Sequence, residues 1–519
     1  MPSWPNTNSS SGDSNSWLHG GGDYSDPDEH IYYPIEDGYP RWIRDKAWNG
    51  EDEDRLIFCK CHQPAHRYVA FQGSMVLCVK KCQVESLPSD FNRLINLWRF
   101  ESQGFKYGPN IRGFPEEYYG VNIDAAEDKF GLGCRFIKNV KQLRGHLVIN
   151  NVYKLSKYHS ADANLKNKDC FDKVTLQWGK WSTKFSEENK IEVLADLQPP
   201  ASTKSLVLEG YPGVSRPSWF EPQSLPSLTS VSFLHCDRLR NRILNGSTGF
   251  SSLTDLIIDG CCRLSSLKQL LHPTYLPVIK RIALMNCRYL VSVPTERFGD
   301  FRCLEIFKLL NCGKINSESL TAPSLKKLML DGSCGNLTDN IQCCSLTNFF
   351  LTGSSLTSIQ LQMWNLPALQ ELHIKGGSLT SIGQSGHVFT NLTSLTISWC
   401  DKLSTIDGLL EKEYLPAIES ITFADCMSLS MHGERSIPGH LWSSTLSSLQ
   451  ELQIHFCWDL VSIGGADDIS EIQNVWIEDC RNLKGIEQPL KRGSFFIAKK
   501  KEQPVKTSSK SVWCMPTGD

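Results

Sequence analysis

The stretch LTSVSFLHCDRL at residues 228–239, followed by LTDLIIDGCCRL at 253–264 and IKRIALMNCRYL at 279–290, decides the fold. All three spell L-x-x-L-x-L-x-x-C-x-x-L, with Ile, Val or Phe accepted at the apolar places. The spelling continues at Leu304, Phe307, Leu309, Cys312 and Ile315, and returns as LTSLTISWCDKL at 392–403. Further copies start at Ile418, Leu449 and Ile472, carrying Cys426, Cys457 and Cys480. Three looser copies start at Leu325, Leu346 and Leu369, with Ser333, Ser354 and Gly377 where the others have Cys. Neighbouring copies begin roughly 21 to 31 residues apart, which is the period of a repeat array and not of a compact domain.

The spelling has a physical content. The x-L-x-L-x centre alternates as a half-buried strand must, with its two apolar residues directed into the core. One strand per copy, stacked in parallel, gives a concave sheet. The Cys place falls where the chain turns inward into a narrow slot, which suits a small, apolar side chain with a weak S–H donor. No copy can bury its apolar face alone, so stability comes from stacking. The fold class is therefore an α/β repeat: a leucine-rich-repeat solenoid, or horseshoe, with a parallel concave sheet and an irregular convex side. Regular repeats span residues 225–490.

Upstream, over 83–224, the repeats are degenerate, starting with Val84-x-x-Leu87. Strands are expected around Leu143–Ile149, Val174–Trp178 and Leu206–Leu208, with a short convex-side helix over residues 160–171. Residues 1–55 are rich in Ser, Asn, Gly, Asp and Pro without an apolar period, and are expected to be disordered. A basic tail, KKKEQPVKTSSK, lies within 491–519.

Bulk properties exclude some functions. The chain of 519 residues carries 54 Lys+Arg against 56 Asp+Glu, so no global field favours nucleic acid or an anionic membrane. No apolar run approaches the roughly 20 residues that span a bilayer. The first residues, MPSWPNTNSSSGDSNSW, have neither the basic start nor the apolar core of a secretory signal. The expected location is thus cytoplasmic or nuclear, with the 20 cysteines kept as thiols.

Three runs carry a resemblance more specific than the repeat. LRGHLVINNVYKL (143–155), ANLKNKDCFDKVTLQW (163–178) and KSLVLEGYPGVSRPSWF (204–220) resemble the repeat region of plant NLR disease-resistance proteins of the coiled-coil class. The matching residues include Leu143, Gly145, Leu147, Lys166, Lys168, Trp178, Tyr211, Pro212, Gly213, Pro217 and Trp219. LPSDFNRLINLWRF (87–100) resembles the family segment just before them. The resemblance implies pathogen recognition and defence signalling, with a pathogen effector, a guarded host protein or a partner NLR as the bound protein. The family's nucleotide-binding domain is not carried over. No G-x-x-x-x-G-K-[ST] loop occurs, and Gly179-Lys180 and Gly313-Lys314 lack the upstream glycine that would cradle a phosphate. Neither nucleotide nor membrane is an expected ligand.

One cluster, within residues 56–82, has metal-ligand character: Cys59, Cys61, Cys78 and Cys82 as C-x-C and C-x-x-x-C, four thiolates that suit tetrahedral zinc. The once-per-repeat cysteines are read as packing groups. No G-x-S-x-G, H-E-x-x-H or comparable motif supports an enzyme. Binding is expected instead at outward strand positions, which the scaffold leaves free. These are His235, Met285, Lys308, His373, Lys375, Trp399, His455, Phe456, Trp476 and Glu478. Displayed aromatic residues among both charge signs favour a protein partner. Two other readings stay open: a zinc-dependent nucleic-acid-binding adaptor with the repeats as scaffold, and a truncated NLR product without a signalling role.

Overall fold

The computed structural model describes residues 142–486 with short interruptions, the longest at 180–192 and 242–248, together with separate strands and a few residues on either side. Within these residues the architecture is a parallel ladder. From Phe171–Gln177 through Ser205–Glu209, Ser230–Leu234 and Asp255–Asp259 to Asn474–Glu478, each repeat adds one short strand to its predecessor. The register is constant: Leu206 lies opposite Val231, Val231 opposite Leu256, Leu256 opposite Ile282. A slip of one residue would turn each apolar pair outward, so burial holds the register.

The inward residues are the ones the repeat spelling named. Leu253, Leu256, Ile258 and Leu264 are each at most 1% exposed, and each such side chain contributes roughly 1.5–3 kcal/mol. Most ladder strands then end on a left-handed residue, and the N–H of several of these donates to the next repeat: His235 to the Asp259 carbonyl, Gly260 to Met285, Trp399 to Ala424. That turn swings the following Cys into the core. Its thiol donates back across the stack, Cys236 to the Leu208 carbonyl at 3.3 Å, Cys426 to Ile397 at 3.5 Å, Cys480 to Ile454 at 3.6 Å. The cysteine column is thus a ladder of weak hydrogen bonds between repeats, which accounts for its periodicity without a metal or redox role.

The three expected upstream strands are present as Gln142–Asn150, Phe171–Gln177 and Ser205–Glu209. Two local expectations need correction. The convex helix runs Lys157–Ala163, earlier than 160–171, because Ser156 accepts the His159 N–H at its start and Asn164 turns left-handed at its end. In the copy starting at Leu325, Cys334 and not Ser333 enters the slot, fully buried and donating to the Leu309 carbonyl. A 3-10 turn over Gly332–Asp339 shifts the inward position by one.

Trp178, Tyr211 and Trp219 of the family runs are core. Trp178 and Tyr211 pack edge to face at 5.4 Å, and the Tyr211 hydroxyl donates to the Ser215 carbonyl. The Trp219 indole N–H donates to the Leu194 carbonyl at 2.7 Å. Gly213 is required by this packing, since a Cβ there would meet the Tyr211 hydroxyl at 2.1 Å.

Strand pairing continues from Gln142–Asn150 through Glu117–Asp124 and Arg99–Gln103, and then beyond Val84 to Val76–Lys80 and Asp54–Cys59, with Ile43–Lys46 antiparallel at the edge. The remaining residues expected to be disordered, and the basic tail, lie outside the described residues apart from the strand Ser494–Ala498. Among the described residues, no helix is long and apolar enough to cross a membrane.

Candidate functional site

The constant register sorts the outward residues of the concave face into columns running across the repeats. One column passes through Ser232, Ile257, Ala283, Lys308, Met329, Phe350, His373, Thr396, Thr422, Gln453 and Trp476. The next, two residues on, holds Met285, Lys375, His455 and Glu478. The left-handed turn residues form the last column, with His235, Trp399 and Phe456 among them. All ten residues singled out by sequence therefore share one face, although they span the array and do not form one cluster.

The turn column is chemically informative. A left-handed backbone suits Gly, Asn and Asp, and costs other residues about 1–2 kcal/mol. Gly210, Gly260, Asn286, Asn311, Asp425 and Asp479 obey this preference. His235, Trp399 and Phe456 do not, at φ 51°, 57° and 54°. Backbone bonds to the next repeat hold them there. Trp399 is 50% exposed, so its ring recovers only part of that cost by burial.

Around these residues the face is aromatic and cationic in its middle. Phe350 and His373 stack in parallel at 4.5 Å, and the Lys327 ammonium lies 5.3 Å from the Phe350 ring centre. Lys375 sits 5.2 Å from the Trp399 ring centre. Toward the end of the array, His455 lies 3.5 Å from a Glu478 carboxylate oxygen and 6.2 Å from the Trp476 ring. Burial pushes His373 and His455 below the ordinary histidine range, and Glu371 and Glu478 offset this only in part. Lys308 is likewise lowered, by burial first and then by the neighbouring cations Lys327 and Arg281.

Sequence reading passed over Arg281, Lys327 and Phe350. Each occupies an outward position of its strand, and counting alternation from Ile282, Leu328 and Phe349 was enough to find them. Phe350 was hidden because it follows another phenylalanine that is core.

The zinc expectation falls largely outside what is described, since Cys61 and Cys82 are not among the described residues. The strands that carry Cys59 and Cys78 pair in parallel, with Leu56 opposite Leu77 and Phe58 opposite Val79. Along the chain, Cys61 stands three residues after Phe58 and Cys82 three after Val79, the offset of Cys236 from Phe233. Among the described residues, no group of three or more His, Cys, Asp or Glu side chains could hold a metal.

A family-model match agrees with the repeat fold. The family model described as R13L1/DRL21 LRRs matches residues 135–261, and over that region the chain resembles the leucine-rich repeats of plant NLR proteins. Among solved structures, the plant peptide hormone receptor RGFR1 in complex with RGF2 is 13% identical, with a TM-score of 0.31, over 87% of this chain and 71% of that one. A leucine-rich repeat protein from Bacteroides ovatus is also 13% identical, with a TM-score of 0.15, over 88% of this chain and 90% of that one. No curated protein sequence matches the chain.

Proposed function

We propose that this chain is a protein-recognition scaffold of the plant disease-resistance type, which binds its partner on the concave face and carries out no chemistry on it. The observation that carries the reading is the display of Trp399 and Trp476, 50% and 43% exposed, on a sheet face that packs against no other layer of the described chain. Exposed tryptophans have no core to join and supply large contact area at a protein interface. At Trp399 the display is held against a backbone preference, and strain of that kind is commonest at functional positions.

A defence role rests on the resemblance over residues 135–261. Its partner would be an effector, a guarded host protein or an NLR that supplies the nucleotide switch. The setting is the cytoplasm or nucleus, where the ladder thiols stay reduced. The test is affinity capture from plant extract with the tagged full chain and with a Trp399→Ala, Trp476→Ala double variant that keeps the wild-type circular dichroism. A defined partner recovered by the wild type and lost by the variant supports the concave site. Undiminished recovery overturns it.

A further inference from the structure

We infer that the middle of the concave face holds an anion seat centred on Lys308, built to take an acidic side chain flanked by apolar residues in a segment of the partner protein. The inference rests on the concave-face reading above and narrows it to a chemistry.

The register defines the surroundings of Lys308. On its own strand, Ile306–Leu310, the two neighbouring outward residues are Ile306 and Leu310 themselves. Across the ladder it faces Ala283 on one side and Met329 on the other. All four are apolar. Two positions back, on those same neighbouring strands, stand Arg281 and Lys327. Lys308 is thus a half-buried ammonium in an apolar frame, with two further cations along one edge.

Its neighbours are otherwise engaged. Arg281 lies 3.1 Å from Asp255, and the Lys327 ammonium is over the Phe350 ring. Among the described residues, no carboxylate pairs with Lys308, and the charges that act on it most are both positive. Asp331, at the end of the neighbouring strand, accepts the Asn311 backbone N–H. A lysine on an open sheet normally keeps its head in water and covers apolar surface with its stem. Here the frame takes part of that water away. An incoming carboxylate would meet the ammonium at reduced dielectric, where a charge-assisted hydrogen bond is strengthened.

The frame also selects the class of partner. One uncommitted ammonium, with two engaged cations on the adjacent strands roughly 4.8 Å away per strand, matches a single carboxylate. A nucleic-acid backbone asks for a longer basic track. The exposed edges of Ile306, Leu310 and Met329 give apolar side chains a place beside the carboxylate, which a phosphodiester would leave unused.

The experiment uses the folded full chain and a rhodamine-labelled nonapeptide with a central glutamate between leucines, read by fluorescence anisotropy at low salt. The comparison peptide has glutamine in that place. The wild type is expected to prefer the glutamate peptide by about tenfold or more. Lys308→Met, which suits the apolar frame, is expected to erase the preference, while Lys204→Met on an exposed ion pair keeps it. Equal affinity of wild type for both peptides, or an unchanged preference in Lys308→Met, overturns the seat. So does tighter binding of a labelled single-stranded oligonucleotide that Lys308→Met also weakens. The two proposals fail separately. If the tryptophan double variant loses its captured partner while Lys308→Met keeps the glutamate preference, the seat falls and the concave-face reading stands. If the reverse holds, the seat stands and the tryptophan site falls.

Discussion

Replacing Trp399 by glycine should leave the protein more stable than replacing it by alanine, the reverse of the usual order. In an ordinary helix or strand position, glycine costs roughly 0.5–1 kcal/mol more than alanine because the unfolded chain gains freedom. Trp399 has φ 57°, where a Cβ costs about 1–2 kcal/mol. Both substitutions remove the same ring and the same Lys375 contact, so those losses cancel in the comparison. Only glycine also removes the backbone cost. Subtracting the unfolded-state penalty leaves glycine ahead by about 0.75 kcal/mol at the middle of the two ranges and by about 1.5 kcal/mol at most. Urea unfolding followed by far-ultraviolet circular dichroism would read this as a higher midpoint for Trp399→Gly. The comparison should be made within one transition, because repeat arrays do not always unfold in two states. An alanine variant as stable as the glycine variant, or more so, would refute the claim that the turn column is conformationally costly for tryptophan. It would also remove the argument that the ring is held there for binding.

Three further outcomes are expected. Gly353, at φ 140° with a Cβ position 2.3 Å from the Gly332 nitrogen, should lose about 1–3 kcal/mol or more on change to alanine, and an unchanged melting temperature would contradict this. The Cys426 and Cys457 thiols are held well above the ordinary range, first by hydrogen bonds with the neighbouring cysteines and then by burial. With Ellman's reagent at pH 8 the exposed Cys344 should therefore react in the native state and those two only in denaturant, as mass mapping of the labelled sites would reveal. His373 and His455 are lowered in the fold, so the native state binds fewer protons than the unfolded chain. Their contribution is complete above the ordinary histidine pKa of about 6.5 and is lost as pH falls through it toward their folded values. Unfolding midpoints measured from pH 7.5 to 5 should decline, and a His373→Gln, His455→Gln variant should decline less.

The repeat spelling by itself determined the parallel ladder, its register and its buried residues. An alternating strand with one apolar face has a single way to stack without exposing that face. It also determined which residues look outward, because alternation leaves them no other direction. Local signals were weaker where two of them competed. The helix start at Ser156 depends on a capping hydrogen bond, and the choice of Cys334 over Ser333 depends on a turn that tightens by one residue. The first is a bond between side chain and backbone three residues apart, and the second is settled by which side chain the preceding repeat can accommodate.

Other features needed the stacked structure. That Tyr211 and Trp219 are packing residues follows from their contacts with Trp178 and Leu194 of the preceding segment, and Gly213 follows from the placement of the Tyr211 ring, although their motif first suggested the family. The left-handed backbone of Trp399 and Phe456 could not be read from residue type, since both residues disfavour it. The hydrogen bonds of the next repeat impose it. The setting of Lys308 is the same kind of fact. Ala283, Met329, Arg281 and Lys327 are distant from it in the chain, and only lateral pairing makes them its neighbours. Periodicity along one strand is written in the chain order, whereas the electrostatics of the face arise between strands, where charge and burial depend on what the adjacent repeats bring alongside.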